Sequence, residues 1–271
     1  MYLEHYGLQE PPFAITPNPR FLFYSAKHRE AINHLLYGIR ERKGFVQLTG
    51  EVGAGKTTIC RAMLEQLGDD FATALILNPV MRPDELMKAI ATEFGLAVQG
   101  LDRLETLSLL NEFLLWRANQ GKDTVLIIDE GQDLTDELLE QVRLLSNLET
   151  DDRKLLQIVL LGQPELRDRL NAHHLRQLRQ RITVRYHLSA LDRGELGRYI
   201  QHRMSVSGAK LMPRFTGPAL WRIHRYSSGV PRLVNAVCDK ALLAAYVQQT
   251  DEIDFGLVGL AIRELEGNIN N

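Results

Sequence analysis

The sequence predicts an α/β protein in which helices flank a parallel sheet, followed by a small all-helical domain. Three observations carry that expectation. The stretch Gly50-Glu51-Val52-Gly53-Ala54-Gly55-Lys56-Thr57 fits G-x-x-x-x-G-K-[ST] at every fixed position and follows the apolar, β-prone run Phe45-Val46-Gln47-Leu48-Thr49. Apolar runs at 72–77, 124–128 and 156–162 alternate with amphipathic helical patterns, as parallel strands joined by helical crossovers require. From Leu191 onward strand-like runs cease and only helical patterns remain.

The first of these stretches is a phosphate-binding loop. Its glycines permit tight or positive-φ turns that aim successive N–H groups at a triphosphate. The helix opening near Lys56, with Ile59, Cys60, Met63, Leu64 and Leu67 on it, adds its N-terminal dipole to the same anion site. Gly50, Glu51, Val52, Gly53, Ala54, Gly55, Lys56, Thr57 and Thr58 are therefore the candidate nucleotide-binding residues. Lys56 reaches the β- and γ-phosphates as a point charge, and the Thr57 hydroxyl is a candidate Mg²⁺ ligand. A dinucleotide fingerprint fails because Thr58 stands where its third glycine would fall.

At 271 residues, 45% of them hydrophobic, the chain suits one large domain or two ordinary ones. The 32 Lys+Arg against 34 Asp+Glu give a net charge of -2, so any attraction to nucleic acid or anionic lipid must be local. Cys60 and Cys238 stand alone on helical segments, without ligand spacing, and read as buried thiols of a reducing cytoplasm rather than a disulfide. The start Met1-Tyr2-Leu3-Glu4-His5 lacks the basic and apolar regions of a leader, and no apolar run approaches the ~18 residues of a membrane span. The chain is expected to be cytoplasmic, with no direct membrane insertion.

Residues 1–24 are rich in Pro, aromatics and turns and are expected to form an arm packing on the nucleotide site. Leu22, Phe23 and Tyr24 are candidates to cover an adenine base; filling the core is the equally weighted alternative. A helix follows from Ser25, a plausible N-cap, with Ala31, Ile32, Leu35, Leu36 and Ile39 on one stripe. It opens the α/β domain, assigned to 25–188. Further helices are expected from Arg82-Pro83 to Gly95, over Asp102 to Asn119, and through Leu138, Val142 and Leu145.

Thr124-Val125-Leu126-Ile127-Ile128-Asp129-Glu130 is an apolar strand ending in two carboxylates, ~70 residues after the loop, and resembles a Walker B strand. Asp129 is the expected Mg²⁺ holder, and Glu130 the group that orients and polarises the attacking water. Gly131 is expected to give the following loop freedom to move. Gln163, at the end of the strand 156–162, is the candidate contact to the γ-phosphate or lytic water, with an ordinary turn glutamine before Pro164 as the alternative. Arg167, Arg169, Arg176, Arg179, Arg181 and Arg185 crowd the approach to the strand-like Ile182-Thr183-Val184. From there Arg181, with Arg176 and Arg179 behind it, is the candidate to reach a neighbouring subunit's γ-phosphate; a solvated helix face or DNA phosphate contact are the other readings. The helical domain is assigned to 189–271. Its helix opening Gly229-Val230-Pro231-Arg232 places Arg232 at a rigid start from which it can reach a nucleotide.

Together these residues resemble an AAA+ ATPase: a P-loop AAA+ core with a helical lid. More narrowly, several stretches are similar to the general secretion pathway protein A group, which includes the ATPase of mannose-sensitive pilus biogenesis. They are Tyr2-Leu3-Glu4-His5-Tyr6-Gly7-Leu8 with Pro12-Phe13, Asp129-Glu130-Gly131-Gln132, Leu161-Gly162-Gln163-Pro164-Glu165-Leu166 and Leu178-Arg179-Gln180-Arg181-Ile182. The resemblance covers nearly the whole chain. Gly131 departs from the alanine common in the group, and the chain lacks the membrane span and peptidoglycan-binding part of its long members, so Asn268-Ile269-Asn270-Asn271 ends either a short member or a piece of a longer protein.

The resemblance implies ATP and Mg²⁺ as cofactors and a nucleotide-dependent homo-oligomer. It also implies a role in secretin or pilus assembly, at the inner-membrane face through a membrane-bound partner. Two other functions stay open: a DNA-associated ATPase of transposition target selection, and a slow nucleotide-gated switch. No helix-turn-helix or winged-helix segment follows the lid, which disfavours DNA without removing it.

Overall fold

A computed structural model of the chain describes residues 2–151 and 153–267; the tail Asn268–Asn271 lies outside them. The order begins α1 (Tyr2–His5), α2 (Ala26–Arg40), β1 (Phe45–Gly50), α3 (Lys56–Leu67), β2 (Phe71–Ile76), α4 (Pro83–Glu93), α5 (Arg103–Asn119) and β3 (Asp123–Ile128). It continues α6 (Asp136–Leu145), β4 (Gln157–Gly162), α7 (Pro164–Leu170), α8 (Arg176–Arg181), β5 (Ile182–Leu188) and α9 (Arg193–Val206). Last come β6 (Arg214–Phe215), α10 (Gly217–Ser227), α11 (Pro231–Val247), β7 (Glu252–Ile253) and α12 (Phe255–Leu265).

Contacts divide the chain into two compact units. One comprises Arg29–Gly50 and Ile59–Leu188; the other takes in the described parts of Met1–His28, Glu51–Thr58 and Ser189–Asn271. The first holds a five-stranded sheet, ordered β2-β3-β4-β1-β5 and parallel throughout. Every residue of β1 and β4 is buried, which is why these strands read as unbroken apolar runs rather than as alternation. Leu126, Ile128, Ile158 and Leu160 pack with Leu86 and Ile90 of α4, Leu110 and Leu114 of α5, and Leu138 and Val142 of α6.

Local chemistry starts these helices where the sequence places them. Asp102 and Glu105 form a reciprocal capping box on α5, and the Thr135 hydroxyl accepts the Leu138 N–H at 3.2 Å on α6. In this order β4 lies between β1 and β3, so residues just past the ends of β3 and β4 share the carboxyl edge of adjacent strands.

In the second unit the arm and the lid helices share one core. Tyr6, Leu8 and Phe13 pack with Leu196, Tyr199, Ile223, Val234, Cys238 and Leu257. Buried Arg203 of α9 satisfies two carbonyls of the proline-rich arm: its guanidinium donates to the Pro12 and Ala14 carbonyls and lies 4.5 Å from the Phe21 ring centre. Leu22 is buried, Phe23 sits 6.0 Å from the Tyr199 ring and 5.7 Å from His202, and Tyr24 is 45% exposed. Leu22 and Phe23 are thus core residues of this unit.

The lid is helical apart from one parallel pairing, Arg214↔Glu252 and Phe215↔Ile253, too short to leave a periodic signal in sequence. Cys60 and Cys238 are buried free thiols whose pKa burial raises, that of Cys60 to about 12. No helix among the described residues is long and apolar enough to cross a membrane.

Candidate nucleotide site

Glu51–Thr58 belongs to the arm-and-lid unit. Gly53 and Gly55 take φ values of 79° and 101°, a region open to glycine but strained for other residues, and the Ala54 N–H closes a turn onto Glu51 O at 3.0 Å. Lys56 is only 6% exposed and its Nζ donates to Glu51 O at 3.0 Å. Because α3 opens at Lys56, Thr57 and Thr58 lie in its first turn, at the positive end of the helix dipole. Turn N–H groups, a buried ammonium and a helix start make a donor set suited to a polyphosphate.

Arg232 is brought to this loop. Its backbone N–H lies 3.3 Å from Gly53 O, and a Cβ added at Gly53 would meet the Arg232 Cβ at 2.4 Å, so a side chain at position 53 would collide with the start of α11. Pro231 opens that helix, and Gly229 just before it has φ 78° with its Cβ position only 2.0 Å from Leu191 O. Glycine is required there because the chain crosses against the backbone that leads into α9.

His28 was not singled out from the sequence. It lies in the first turn of α2, whose N–H at residue 28 donates to the Ser25 hydroxyl, and its Nδ1 is 2.7 Å from the same oxygen. The buried imidazole also bonds the Ala54 backbone of the loop. Periodicity places this residue on the helix but cannot say that its turn faces the loop.

Burial holds the His28 pKa below the usual histidine value; Glu195 and the Ala54 bond oppose the shift and Lys27 adds to it. The unfolded chain then binds this proton first, so the stability His28 contributes is present above about pH 6.5 and is lost as pH falls toward the lower folded value. Thermal unfolding between about pH 7.5 and 5 is expected to show a steeper acid loss in wild type than in His28→Gln. His202, also lowered by burial, is common to both proteins. Parallel profiles would remove His28 from the acid response.

The sheet unit gathers the two acids and Gln163. Asp129 is 3% exposed, donates its N–H to Ile76 O at 2.8 Å, and accepts the Glu130 N–H on Oδ1 at 2.9 Å. Glu130 adopts φ 51°, a left-handed conformation that costs a non-glycine residue about 1–3 kcal/mol. Its Oε2 accepts from Gln132 Nε2 at 2.8 Å and from Gln163 Nε2 at 3.4 Å. Gln132 was missed as a site residue, although it lies two positions beyond Glu130. The expectation that Gly131 loosens this loop is corrected: Gly131 is buried, and a Cβ there would lie 3.1 Å from Leu161 O and 3.2 Å from a Leu166 methyl. It serves close packing, not mobility.

The arginine run does not act as a single face. Arg169 is an internal brace, donating to the Gln132 and Leu134 carbonyls at 2.7 and 2.6 Å and pairing with Asp136 at 2.7 Å. Arg181 ends α8 just before β5, whose first residue, Ile182, pairs with Phe45 at the amino end of β1. It therefore sits at the opposite edge of the sheet from Asp129 and Glu130, half-buried, with Nη1 donating to Ser146 Oγ at 2.6 Å. Arg179 donates weakly to Asn171 O at 3.5 Å, and Arg176 is exposed.

No cluster of three or more His, Cys, Asp or Glu side chains suited to a metal occurs among the described residues. Mg²⁺ is held by one or two carboxylates together with phosphate oxygens rather than by an all-protein cage. Asp129 and Thr57 supply oxygens of the right kind.

A family model described as an AAA domain matches residues 39–170. A general secretion pathway protein A of Aeromonas hydrophila is 47% identical over 268 residues, covering 98% of this chain and 49% of that protein, so the chain spans about half the length of this relative. Drosophila ORC bound to DNA matches with a TM-score of 0.67 at 18% identity, over 94% of this chain and 64% of that one. Cdc6p of Pyrobaculum aerophilum gives 0.64 at 17%, over 86% and 67%. The Thermotoga maritima RuvB Holliday junction branch migration motor gives 0.59 at 19%, over 89% and 69%. At these identities the solved structures speak for the fold alone. Residues 39–170 carry an AAA domain, the fold is that of P-loop AAA+ proteins, and nearly the whole chain is similar to a general secretion pathway protein A.

Proposed function

We propose that the protein is a Mg²⁺-dependent ATPase that works as a homo-oligomer in assembling secretion or pilus machinery of the cell envelope, with a membrane-bound protein as partner. The observation that carries nucleotide binding is the fit of the Gly53–Lys56 turn under the start of α11, which leaves Gly53 no room for a side chain. Lys56 and the loop N–H groups hold the phosphates, and Arg232 adds a guanidinium from the lid. Thr57 and Asp129 hold Mg²⁺, which when bound neutralises phosphate charge. Glu130 accepts hydrogen bonds from the attacking water and takes its proton, and Gln163 orients that water. Arg181 acts on a neighbouring subunit rather than its own. The envelope role rests on the relationship to general secretion pathway protein A.

Lys56→Ala is expected to weaken ATP binding roughly 10- to 100-fold, the loss of a charge-assisted contact of about 1.5–3 kcal/mol. Titration with a fluorescent ATP analogue reads this directly, and unchanged affinity would contradict the assignment. Hydrolysis rate and oligomer size are measured alongside, with and without DNA. Stimulation and assembly only on DNA would replace the envelope role with a DNA-associated one.

A further inference from the structure

We infer that Gln132 is a positioning residue: its amide sets the carboxylate of Glu130 and ties it to the backbone at Gln163. The inference rests on the hydrolytic role proposed for Glu130. Gln132 Nε2 donates to Glu130 Oε2 at 2.8 Å and more weakly to Asp133 Oδ2 at 3.3 Å, while its Oε1 accepts the Gln163 backbone N–H at 3.0 Å. Gln163 Nε2 closes the ring onto the same Glu130 oxygen at 3.4 Å. The partners define the amide's orientation, since its nitrogen faces two carboxylates and its oxygen faces an N–H; the reversed amide would lose all three contacts.

The chemistry needs an amide. Methionine of similar length offers neither end, and an ionised glutamate offers two acceptors to a partner that is itself an acceptor. Two further features keep this side chain in place. Arg169 of α7 donates to the Gln132 carbonyl at 2.7 Å, and Gly162 leaves room at the end of β4, where a Cβ would lie 3.1 Å from Gln132 Oε1. Glu130 leaves β3 in a left-handed conformation, so the direction of its carboxylate is set by side-chain partners as well as by the strand. Through Gln132, a shift of the loop after β4 is transmitted to the carboxylate after β3.

Gln132→Met is expected to hydrolyse ATP about 10- to 100-fold more slowly, with nucleotide affinity within about twofold of wild type, because a misaimed base costs turnover rather than binding. In the protein without nucleotide, the Gln163 amide hydrogen should exchange about tenfold faster or more, having lost its acceptor. Gln132→Glu keeps the shape but sets a new carboxylate against Glu130 and Asp133, beside Asp129, with Arg169 the neighbouring cation. It should hydrolyse ATP about 10- to 100-fold more slowly, because a second carboxylate in place of the amide repels Glu130 instead of donating to it. A packing role alone would leave this isosteric variant at wild-type turnover.

Wild-type turnover or unchanged Gln163 exchange in Gln132→Met overturns the inference. With Glu130→Gln inactive in the same assay, the hydrolysis reading survives that failure; wild-type turnover in Glu130→Gln removes the reading itself.

Discussion

Glu130→Gln protein is expected to bind ATP with wild-type affinity and to hydrolyse it about 10²- to 10⁴-fold more slowly, the range a positioned general base supplies. The amide keeps the size of the carboxylate and can still accept from Gln132 Nε2 through its own oxygen, so the loop after β3 keeps its shape. What it loses is the capacity to take a proton from water. Phosphate-release kinetics beside an affinity titration separate the two: turnover should collapse while the dissociation constant stays put. The contrast with Lys56→Ala, where affinity itself falls, distinguishes a residue that binds ground state and transition state alike from one that acts in the transition state. Undiminished turnover in Glu130→Gln would transfer the role to another group.

Mixing two inactive variants, Arg181→Ala and Glu130→Gln, should restore part of the activity. Arg181 lies at the amino edge of its own sheet while Glu130 lies past the carboxyl end of β3, so the two serve one reaction only if Arg181 reaches a neighbour. An arginine supplied across a subunit boundary is worth about 10³ to 10⁵ in rate. In a mixed assembly some interfaces pair an intact Glu130 with an intact Arg181 from the next subunit, and specific activity should also rise with protein concentration. Arg181→Ala removes the bond to Ser146 as well, so its thermal unfolding is checked first. No recovery despite demonstrated co-assembly would move the role to Arg176, which is exposed, or to Arg179.

The A. hydrophila relative is about twice as long as the matched region, so loss of ATPase activity here would show that the nucleotide machinery fails, not what the rest of such a protein does.

Much of this was legible in the residues because it depends on neighbours in the chain. The phosphate loop is eight contiguous residues, with glycine at the two positions, 53 and 55, whose positive φ favours it. Strands buried on both faces leave unbroken apolar runs; Asp102 with Glu105, and Thr135, mark helix starts through contacts spanning three residues, and Pro231 marks one by its fixed φ.

What the tertiary structure alone decided has long-range causes. Arg203 holds the proline-rich arm from a helix about 190 residues later, which makes the arm part of the lid core, a pairing no local pattern encodes. Arg169 and Arg176 look alike in an arginine-rich run, yet one is spent on the carbonyls after Glu130 and the other is exposed. Gly131 reads as a loop hinge and proves to be a contact surface for Leu166. His28 and Gln132 lie in a helix turn and a short loop, where spacing leaves the side chain's direction open. Only the seating of His28 against the loop and the adjacency of β3 to β4 give them Ala54, Glu130 and Gln163 as partners.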